Sequence, residues 1–325
     1  MGNSRICGGL RGFLGLIRFE HTVFALPFAL VAAVLAQRWV NSHSGFTGEL
    51  PLFAASGKWD TLLSGSVPIQ TGTTGILPSL YDLGFILLAM VSGRTLAMLA
   101  NRIIDAQIDA RNPRTSLWHI PAGAVSVRQA KLWALLSTVV FLLSALALNL
   151  WCFLLAPLAA VWLILYPYAK RYSPLAHYIL GGAQAIAPVG VFIAVTGQVS
   201  PEILPLAVAV GLWVGSFDVY YALQDVVFDR AEGLHSLPAD FGERPAMMAA
   251  LVGHLLTGAL LIWTCYIFDA GTIAVLASCA FALALVVEHL LVRARRELVG
   301  LAFFTLNGII SVAYALTLVV AVLSA

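Results

Sequence analysis

Long apolar segments dominate the chain, and short polar segments separate them. A helix needs about 20 apolar residues to cross the hydrocarbon core of a bilayer. The uncharged run from 132 to 169 is too long for one crossing, so we divide it near Asn149 into a tight helical hairpin. The pattern then predicts nine spans, at residues 22–37, 81–100, 131–148, 150–168, 175–197, 203–222, 247–268, 270–290 and 299–323.

Composition supports this interpretation. The chain has 325 residues, of which 60% are hydrophobic and only 10% are charged, and its mean hydropathy is +0.91. Soluble domains carry roughly 25% charged residues. We therefore predict an all-α integral membrane protein with nine transmembrane helices in a single bundle, forming one domain over 1–325. The net charge of +2 gives no reason to expect nucleic acid as a partner, and the lipid bilayer is the predicted environment.

Basic residues predict the orientation of the bundle. With the N-terminus in the cytoplasm, Arg38 and Lys58 fall on the outer side and Arg94 lies inside the second helix. The other Lys and Arg residues all fall on the cytoplasmic side, a strong positive-inside signal. The sequence thus predicts a multi-pass protein of the inner (plasma) membrane. The cytoplasmic residues are Arg5, Arg11, Arg18, Arg102, Arg111, Arg114, Arg128, Lys131, Lys170, Arg171, Arg230, Arg244, Arg293, Arg295 and Arg296.

Two segments lie outside the predicted spans. Residues 1–20 are predicted to form a helix lying on the membrane surface. Residues 41–80 are rich in Gly, Ser, Thr and Pro and are predicted to form a connecting loop on the outer side. The sequence gives no function for this loop.

A first acidic motif, NRIIDAQID, continues the second predicted helix toward the cytoplasm. Its Asn101, Asp105 and Asp109 are spaced by four residues, so on one continuous helix they share a face. We call these three residues the first aspartate motif. A carboxylate at the centre of a membrane helix costs about 2.5–3.5 kcal/mol on insertion scales, so a compensating cation is expected.

A second acidic motif, FDVYYALQDVVFD, continues the sixth predicted helix. We call its Asp218, Asp225 and Asp229 the second aspartate motif; they are spaced by seven and four residues, again on one helical face. Two such faces opposite each other would form a cup of carboxylates. Carboxylate and amide oxygens suit Mg²⁺, which is commonly shared between one or two carboxylates and substrate phosphates. Mg²⁺ and a phosphate-bearing substrate are therefore predicted, with a solvated cap of ion pairs as the alternative.

Basic side chains near the motifs are candidates for binding that substrate. Arg94 lies seven residues before Asn101, and two interpretations stay open: an intramembrane ion pair with Asp218, or a role in substrate binding. Membrane anchoring is the alternative for the adjacent basic pair after the fourth helix. The predicted contacts to phosphate oxygens are Arg111, Arg114, Lys170 and Arg171.

Several motifs carry a resemblance to a known family. NRIIDAQID followed by ARNPRT, then YPYAKRYSP, then FDVYYALQDVVFD followed by RAEGLHSLPADFG resemble the UbiA family of membrane aromatic prenyltransferases. RFEHTVFALPFAL, SGRTLAM and FFTLNGIISV are similar to its quinone-biosynthesis branch, which includes 4-hydroxybenzoate polyprenyltransferases. The resemblance covers nearly the whole chain except 41–80, and it implies a nine-helix UbiA-type fold.

The resemblance also implies a reaction. Mg²⁺ would hold the diphosphate of a polyprenyl donor, and the ring of an aromatic acid would attack the allylic carbon as diphosphate leaves. The resemblance implies 4-hydroxybenzoate as the acceptor, with 1,4-dihydroxy-6-naphthoate of a menaquinone route as the alternative. The implied metal ligands are Asn101, Asp105, Asp109, Asp225 and Asp229.

Further roles are implied around the acceptor and the diphosphate. Asp218 would orient the acceptor or take its proton, and Arg94 would pair with the carboxylate of the acceptor. Tyr166 would line the pocket one helical turn before Lys170, which with Arg171 would neutralise diphosphate. The active site would face the cytoplasm.

One segment departs from the family. Where its members usually carry a basic residue before a Pro-x-Gly turn, this chain reads SLWHIPAG, with Trp118 and His119. The detailed role of this loop is therefore open. A rival hypothesis from another class is a divalent-cation transporter, since intramembrane acids also mark ion paths. Transport predicts acids near the bilayer midplane, whereas here they cluster on one side among basic residues.

Overall fold

The computed structural model describes residues 25–43, 77–301 and 305–324, and long helices make up most of this part of the chain. The predicted surface helix within 1–20 and most of the predicted outer loop 41–80 lie outside the described residues. The long helices are α1 (Ala25–His43), α2 (Leu80–Ile104), α3 (Val127–Leu148), α4 (Leu150–Leu165), α5 (Ala176–Thr196), α6 (Leu204–Ala222), α7 (Glu243–Ile267), α8 (Gly271–Ala294) and α9 (Asn307–Ser324).

Short helical segments connect several of the long ones. The two that matter most for the site follow α2 and α6 and carry the outermost aspartates. The short segments are Ala106–Arg111, Tyr166–Arg171, Pro201–Ile203, Val226–Glu232, Leu237–Phe241, Arg296–Leu298 and Val299–Leu301.

The prediction of an all-helical membrane protein is confirmed. Within the described ranges, eight helical segments are long and apolar enough to cross a membrane, and they correspond to α2 through α9. The count of nine is not confirmed, because α1 is not among these eight. This helix matches the predicted span 22–37 but continues to His43 through the polar residues Gln37 and Arg38. Whether α1 crosses the bilayer stays a prediction, as does the single domain over 1–325.

The hairpin predicted near Asn149 is confirmed. Asn149 has extended backbone angles (φ −165°, ψ 173°) that end α3 and begin α4. Its side-chain oxygen accepts a hydrogen bond from the Cys152 backbone N at 2.9 Å, which satisfies a free donor in the first turn of α4. Its side-chain nitrogen donates to the Ile193 carbonyl at 2.9 Å and so ties the hairpin to α5.

The last predicted span, 299–323, covers Val299–Leu301 and the membrane helix α9, which is described from Asn307. Residues 302–304 lie outside the described part of the chain, so the start of this span stays a prediction. Within α9, Asn307 is fully buried and donates to the Glu288 carboxylate at 2.9 Å.

Helix α6 lies at the centre of the packing, between α5 and α7. Glycines allow α5 and α6 to approach closely: a Cβ on Gly181 would lie 2.0 Å from the Gly211 carbonyl oxygen. On the other side of α6, Trp213 packs against Phe28 of α1 and Phe281 of α8, with ring centroids 5.0 and 5.7 Å away. This aromatic core fixes the half of the bundle formed by α1 and α6 to α9.

The remaining helices form a second group beside α5. Helix α2 packs on α3 and α4, and α4 packs on α5. The long helices α2 and α6, which carry the two aspartate motifs, therefore end at the same side of the molecule, where their extensions contact each other.

Candidate active site

The first aspartate motif lies across a break in the helix. α2 ends at Ile104, Asp105 takes the angles φ −91° and ψ 1°, and a short helix over Ala106–Arg111 carries Asp109. The expectation of one continuous helix is therefore wrong at Asp105. Helical hydrogen bonds between residues four apart are nevertheless kept on both sides of the break. The Asp105 N donates to the Asn101 carbonyl at 2.9 Å, and the Asp109 N donates to the Asp105 carbonyl at 2.8 Å.

The second aspartate motif repeats this backbone arrangement. α6 ends at Ala222, Asp225 takes the angles φ −107° and ψ 2°, and a short helix over Val226–Glu232 carries Asp229. The Asp229 N bonds to the Asp225 carbonyl at 2.8 Å, as in the first motif. The predicted continuous helix is wrong here as well, and only Asp218 lies within α6 itself.

Basic side chains neutralise the first motif. Asp105 is almost fully buried, with Lys170 Nζ 2.7 Å from its Oδ2 and Arg171 Nη2 3.0 Å from its Oδ1. Asn101 also donates to Asp105, at 3.3 Å. The two cations predicted to bind diphosphate thus contact a predicted metal ligand in this structure. Because a buried carboxylate needs a compensating charge, these contacts stabilise the motif as it stands.

The charge of the second motif is compensated by residues of the loop that follows the first motif. Arg114 donates from Nε to Asp225 Oδ1 at 2.9 Å, contacts Oδ2 through Nη2, and donates from Nη1 to the Tyr221 hydroxyl at 2.6 Å. Asn112 adds a hydrogen bond to Asp225 at 3.2 Å. Nearby, Arg111 pairs with Glu232 at 2.7 Å. These contacts link the residues that follow the first motif to the second motif.

Trp118, one of the residues that departs from the family pattern, lies between these charges. The Arg102 guanidinium carbon is 3.6 Å from the centroid of its ring, and that of Arg114 is 5.7 Å away. Arg102 is also 3.8 Å from Asp109. An indole face attracts guanidinium groups. Trp118 therefore supports Arg102, which lies near Asp109 of the first motif, and Arg114, which contacts Asp225 of the second, a role that the sequence did not suggest.

The acidic residues fit a divalent cation by their chemistry. Asp109 Oδ2 is buried and has no hydrogen-bond partner among the described residues. Burial raises the pKa of Asp109, and burial together with Asp225 raises the pKa of Asp229 to about 6. Both shifts indicate negative charge that the protein compensates incompletely. In the described part of the chain, however, no three Asp, Glu, His or Cys side chains are gathered into one preformed metal site.

An apolar cavity of about 590 Å³ lies between α2, α3, α4, α5 and α6. Arg94 is a cationic residue in its lining, and the Arg94 Nε is buried without a hydrogen-bond partner among the described residues. Tyr166 lies beside the part of the cavity that is lined by Ala97, and its hydroxyl donates to the Ala97 carbonyl at 3.4 Å. The ion pair between Arg94 and Asp218, one of the two interpretations left open, is not formed: Asp218 instead contacts His177 Nδ1 at 2.8 Å.

A family model described as the UbiA prenyltransferase family matches residues 71–309. The chain belongs to this family. Two curated UbiA relatives are named 4-hydroxybenzoate octaprenyltransferase. The protein of Francisella tularensis subsp. mediasiatica is 31% identical over 169 residues, covering 52% of this chain and 59% of the relative. The Aliivibrio salmonicida protein is 29% identical over 177 residues, covering 54% and 62%. The chain thus spans about three fifths of the length of the curated relatives that it matches.

Solved UbiA structures share the fold. The apo structure of a UbiA homolog from Aeropyrum pernix K1 superposes with a TM-score of 0.70 at 28% identity, covering 94% of this chain and 98% of that one. A UbiA homolog from Archaeoglobus fulgidus bound to GPP and Mg²⁺ has a TM-score of 0.61 at 18% identity, covering 95% and 99%. The second similarity shows the fold alone. The predicted family and fold class are confirmed.

Within this UbiA fold, the residues predicted from the sequence fall into two sets. The metal-ligand candidates and three basic residues form one charged layer that joins the ends of α2 and α6, whereas Arg94 and Tyr166 lie at the cavity. Arg111 is the outlier, because its guanidinium is exposed and its partner is Glu232. His177 was missed: it is one histidine at the start of a predicted span, and nothing in the sequence linked it to Asp218.

Proposed function

We propose that this chain is a Mg²⁺-dependent polyprenyltransferase that joins a polyprenyl group to an aromatic acid. The observation that carries the proposal is the presence of two linked aspartate motifs together with an apolar cavity lined by Arg94, whose Nε is buried. A charged layer suits a diphosphate, an apolar cavity suits its isoprenoid tail, and a buried guanidinium suits a carboxylate.

The donor in this proposal is a polyprenyl diphosphate. Asn101, Asp105, Asp109, Asp225 and Asp229 would hold Mg²⁺, which when bound supplies Lewis-acid stabilisation of the leaving diphosphate. The solved Archaeoglobus homolog with GPP and Mg²⁺ supports this choice. The cations that now contact the carboxylates, Lys170, Arg171 and Arg114, are placed to turn toward the phosphate oxygens.

The acceptor in this proposal is 4-hydroxybenzoate, the substrate in the printed names of the curated relatives. The guanidinium of Arg94 would take the carboxylate of the acceptor, since its buried Nε has a free donor. Because 1,4-dihydroxy-6-naphthoate also carries a carboxylate, Arg94 does not discriminate between the two, and the naphthoate stays the alternative.

The reaction requires few groups from the protein. A ring carbon of the acceptor forms a bond to the allylic carbon of the donor, while the bond from that carbon to the diphosphate oxygen breaks and diphosphate leaves with the electron pair. The ring then loses a proton, for which the Asp218 carboxylate is the candidate acceptor. The apolar lining of the cavity excludes water, which would otherwise capture the electron-deficient allylic carbon.

The proposed site opens toward the cytoplasm. Support comes from the 15 of 18 Lys and Arg residues that fall on the side of the aspartate motifs when the N-terminus is cytoplasmic. The same charge argues against the transporter hypothesis. Lys170 and Arg171 contact Asp105, and Arg114 contacts Asp225, so cations would be repelled at the entrance of the supposed path.

A product assay tests the proposal. Membranes or detergent-solubilised protein receive a radiolabelled polyprenyl diphosphate, Mg²⁺ and both acceptors in competition, and mass spectrometry identifies the lipid product. We expect a prenylated aromatic acid that requires Mg²⁺ and disappears with EDTA. If folded protein gives no product with any aromatic acid, the proposal is wrong. Uptake of divalent cations into proteoliposomes without product would favour transport instead.

A further inference from the structure

His177 is a buried side chain that the site described so far does not use. It lies in the first turn of α5 and is only 6% exposed. Its Nδ1 is 2.8 Å from Oδ2 of Asp218, while its Nε2 is buried and has no hydrogen-bond partner among the described residues. Leaving a buried polar atom unpaired is costly. The burial of His177, with one ring nitrogen unpaired, is therefore better explained by its hydrogen bond to Asp218 than by packing.

Asp218 is only partly enclosed. Most residues of α6 are buried, whereas the Asp218 side chain is 23% exposed. Oδ2 is the oxygen that bonds to His177, and no other hydrogen bond to this carboxylate is formed within the described ranges. The second oxygen, Oδ1, is thus available to a ligand. Asp218 lies four residues before α6 ends at Ala222, about 6 Å along the helix axis at 1.5 Å per residue.

Asp218 and Arg94 lie on two helices, α6 and α2, that both line the cavity. Tyr166 packs with Ala97 and Ala183, which also line the cavity. A molecule with a carboxylate at one end and a hydroxyl at the other would meet Arg94 with the first group and Asp218 with the second.

We propose that His177 is the positioning residue for the hydroxyl end of the aromatic acceptor. The Nδ1–H of His177 donates to Oδ2 of Asp218 and fixes the plane of the carboxylate, so that Oδ1 accepts the hydrogen bond of the acceptor hydroxyl. The inference rests on the proposed function and deepens it: it restricts the acceptor to hydroxylated aromatic acids. A site built to bond a hydroxyl discriminates strongly against analogues that lack it.

Steady-state kinetics on His177→Phe test the inference. Phenylalanine keeps an aromatic ring of similar volume but removes the donor. We expect the KM for the hydroxylated acceptor to rise about tenfold or more, as for a lost hydrogen bond to a charged group, while the KM for polyprenyl diphosphate stays unchanged. His177→Asn places an amide nitrogen near the former Nδ1, so it should restore most of the acceptor KM.

His254→Phe is the matched control. His254 is a buried histidine in α7, 1% exposed and remote in sequence from both aspartate motifs. A general packing effect in the bundle would alter the KM values of both variants alike, and that result would overturn the inference. If His177→Phe does not fold, His177→Gln replaces it, because its longer amide does not place a donor at the Nδ1 position; its acceptor KM should rise as well.

A binding measurement without chemistry completes the test. Tryptophan fluorescence titrated with 4-hydroxybenzoate and with benzoate, without donor or Mg²⁺, gives the Kd of each. Wild type should bind 4-hydroxybenzoate more tightly, and His177→Phe should lose this preference. An unchanged preference and an unchanged acceptor KM in His177→Phe would overturn the inference while leaving the proposed function intact. A wild-type protein that makes no prenylated product would instead overturn the proposed function.

Discussion

The two aspartate motifs share one backbone arrangement but differ in how their charge is compensated. In each, a long helix ends just before an aspartate with ψ close to 0°, and a short helix carries the next aspartate four residues later. Asp105 is almost fully buried and is neutralised by Lys170 and Arg171, from the turn after α4. Asp225 is more exposed and is neutralised by Arg114, from the loop that follows the first motif.

This difference makes the second motif dependent on the first. Lys170 and Arg171 lie on a helical turn fixed between α4 and α5, so Asp105 has a preformed cationic environment. Arg114 lies on a loop, and its guanidinium bridges the Asp225 carboxylate and the Tyr221 hydroxyl. The two motifs therefore have similar backbones but different charge environments.

The largest effect is expected from removing one charge in each motif. Asp105→Asn and Asp225→Asn should each lower kcat more than about 100-fold, because both residues are proposed metal ligands and even their supporting neighbours typically affect metal affinity 10–100-fold. Only Asp105→Asn should also lower the melting temperature clearly, since it leaves two partly buried cations unpaired. Activity assays and thermal melts on purified protein measure both.

Asp82→Asn is the control for this pair. Asp82 lies on the same helix as the first motif but at its opposite end, where it bonds to Ser79. Its substitution should leave kcat within about threefold, as for a side chain outside the site. Near-normal activity in Asp105→Asn or Asp225→Asn would refute the metal assignment, and equal melting temperatures would remove the asymmetry between the motifs.

A smaller effect is expected from breaking the bridge between the motifs. Arg114→Gln should lower kcat/KM for polyprenyl diphosphate about 10–100-fold, the range for lost hydrogen bonds to a charged group. Arg114→Lys should recover only part of this loss, because an ammonium group cannot reproduce the two-pronged contact with Asp225. If lysine restores full activity, charge alone accounts for the bridge and its geometry does not matter.

The sequence predicted the helices well because apolar length is a direct consequence of the bilayer. It also located the break at Asn149, and the apolar spans 81–100 and 203–222 placed the ends of α2 and α6 close to Ile104 and Ala222. It did not predict the kinks at Asp105 and Asp225, since i, i+4 spacing is the same in a continuous helix and in a broken one.

The sequence could not predict which charged side chains pair with each other. Arg111 and Arg114 are three residues apart and looked equivalent as phosphate contacts, but one pairs with Glu232 and the other with Asp225. Arg94 was weighed as a partner of Asp218, whereas His177 has that position. Each choice depends on which helices touch, and 40 or more residues separate the partners along the chain in all three cases.

The smallest effect is expected at Arg111, and it separates the two neighbouring arginines. Arg111 is 57% exposed and pairs with Glu232, and an exposed ion pair contributes about 0–1 kcal/mol. Arg111→Gln should therefore change kcat/KM for polyprenyl diphosphate less than about fivefold, measured beside Arg114→Gln in one preparation. A loss as large as that of Arg114→Gln would mean that Arg111 leaves Glu232 to bind the diphosphate. The short helix Ala106–Arg111 and the loop that follows it would then each supply a cation to the substrate.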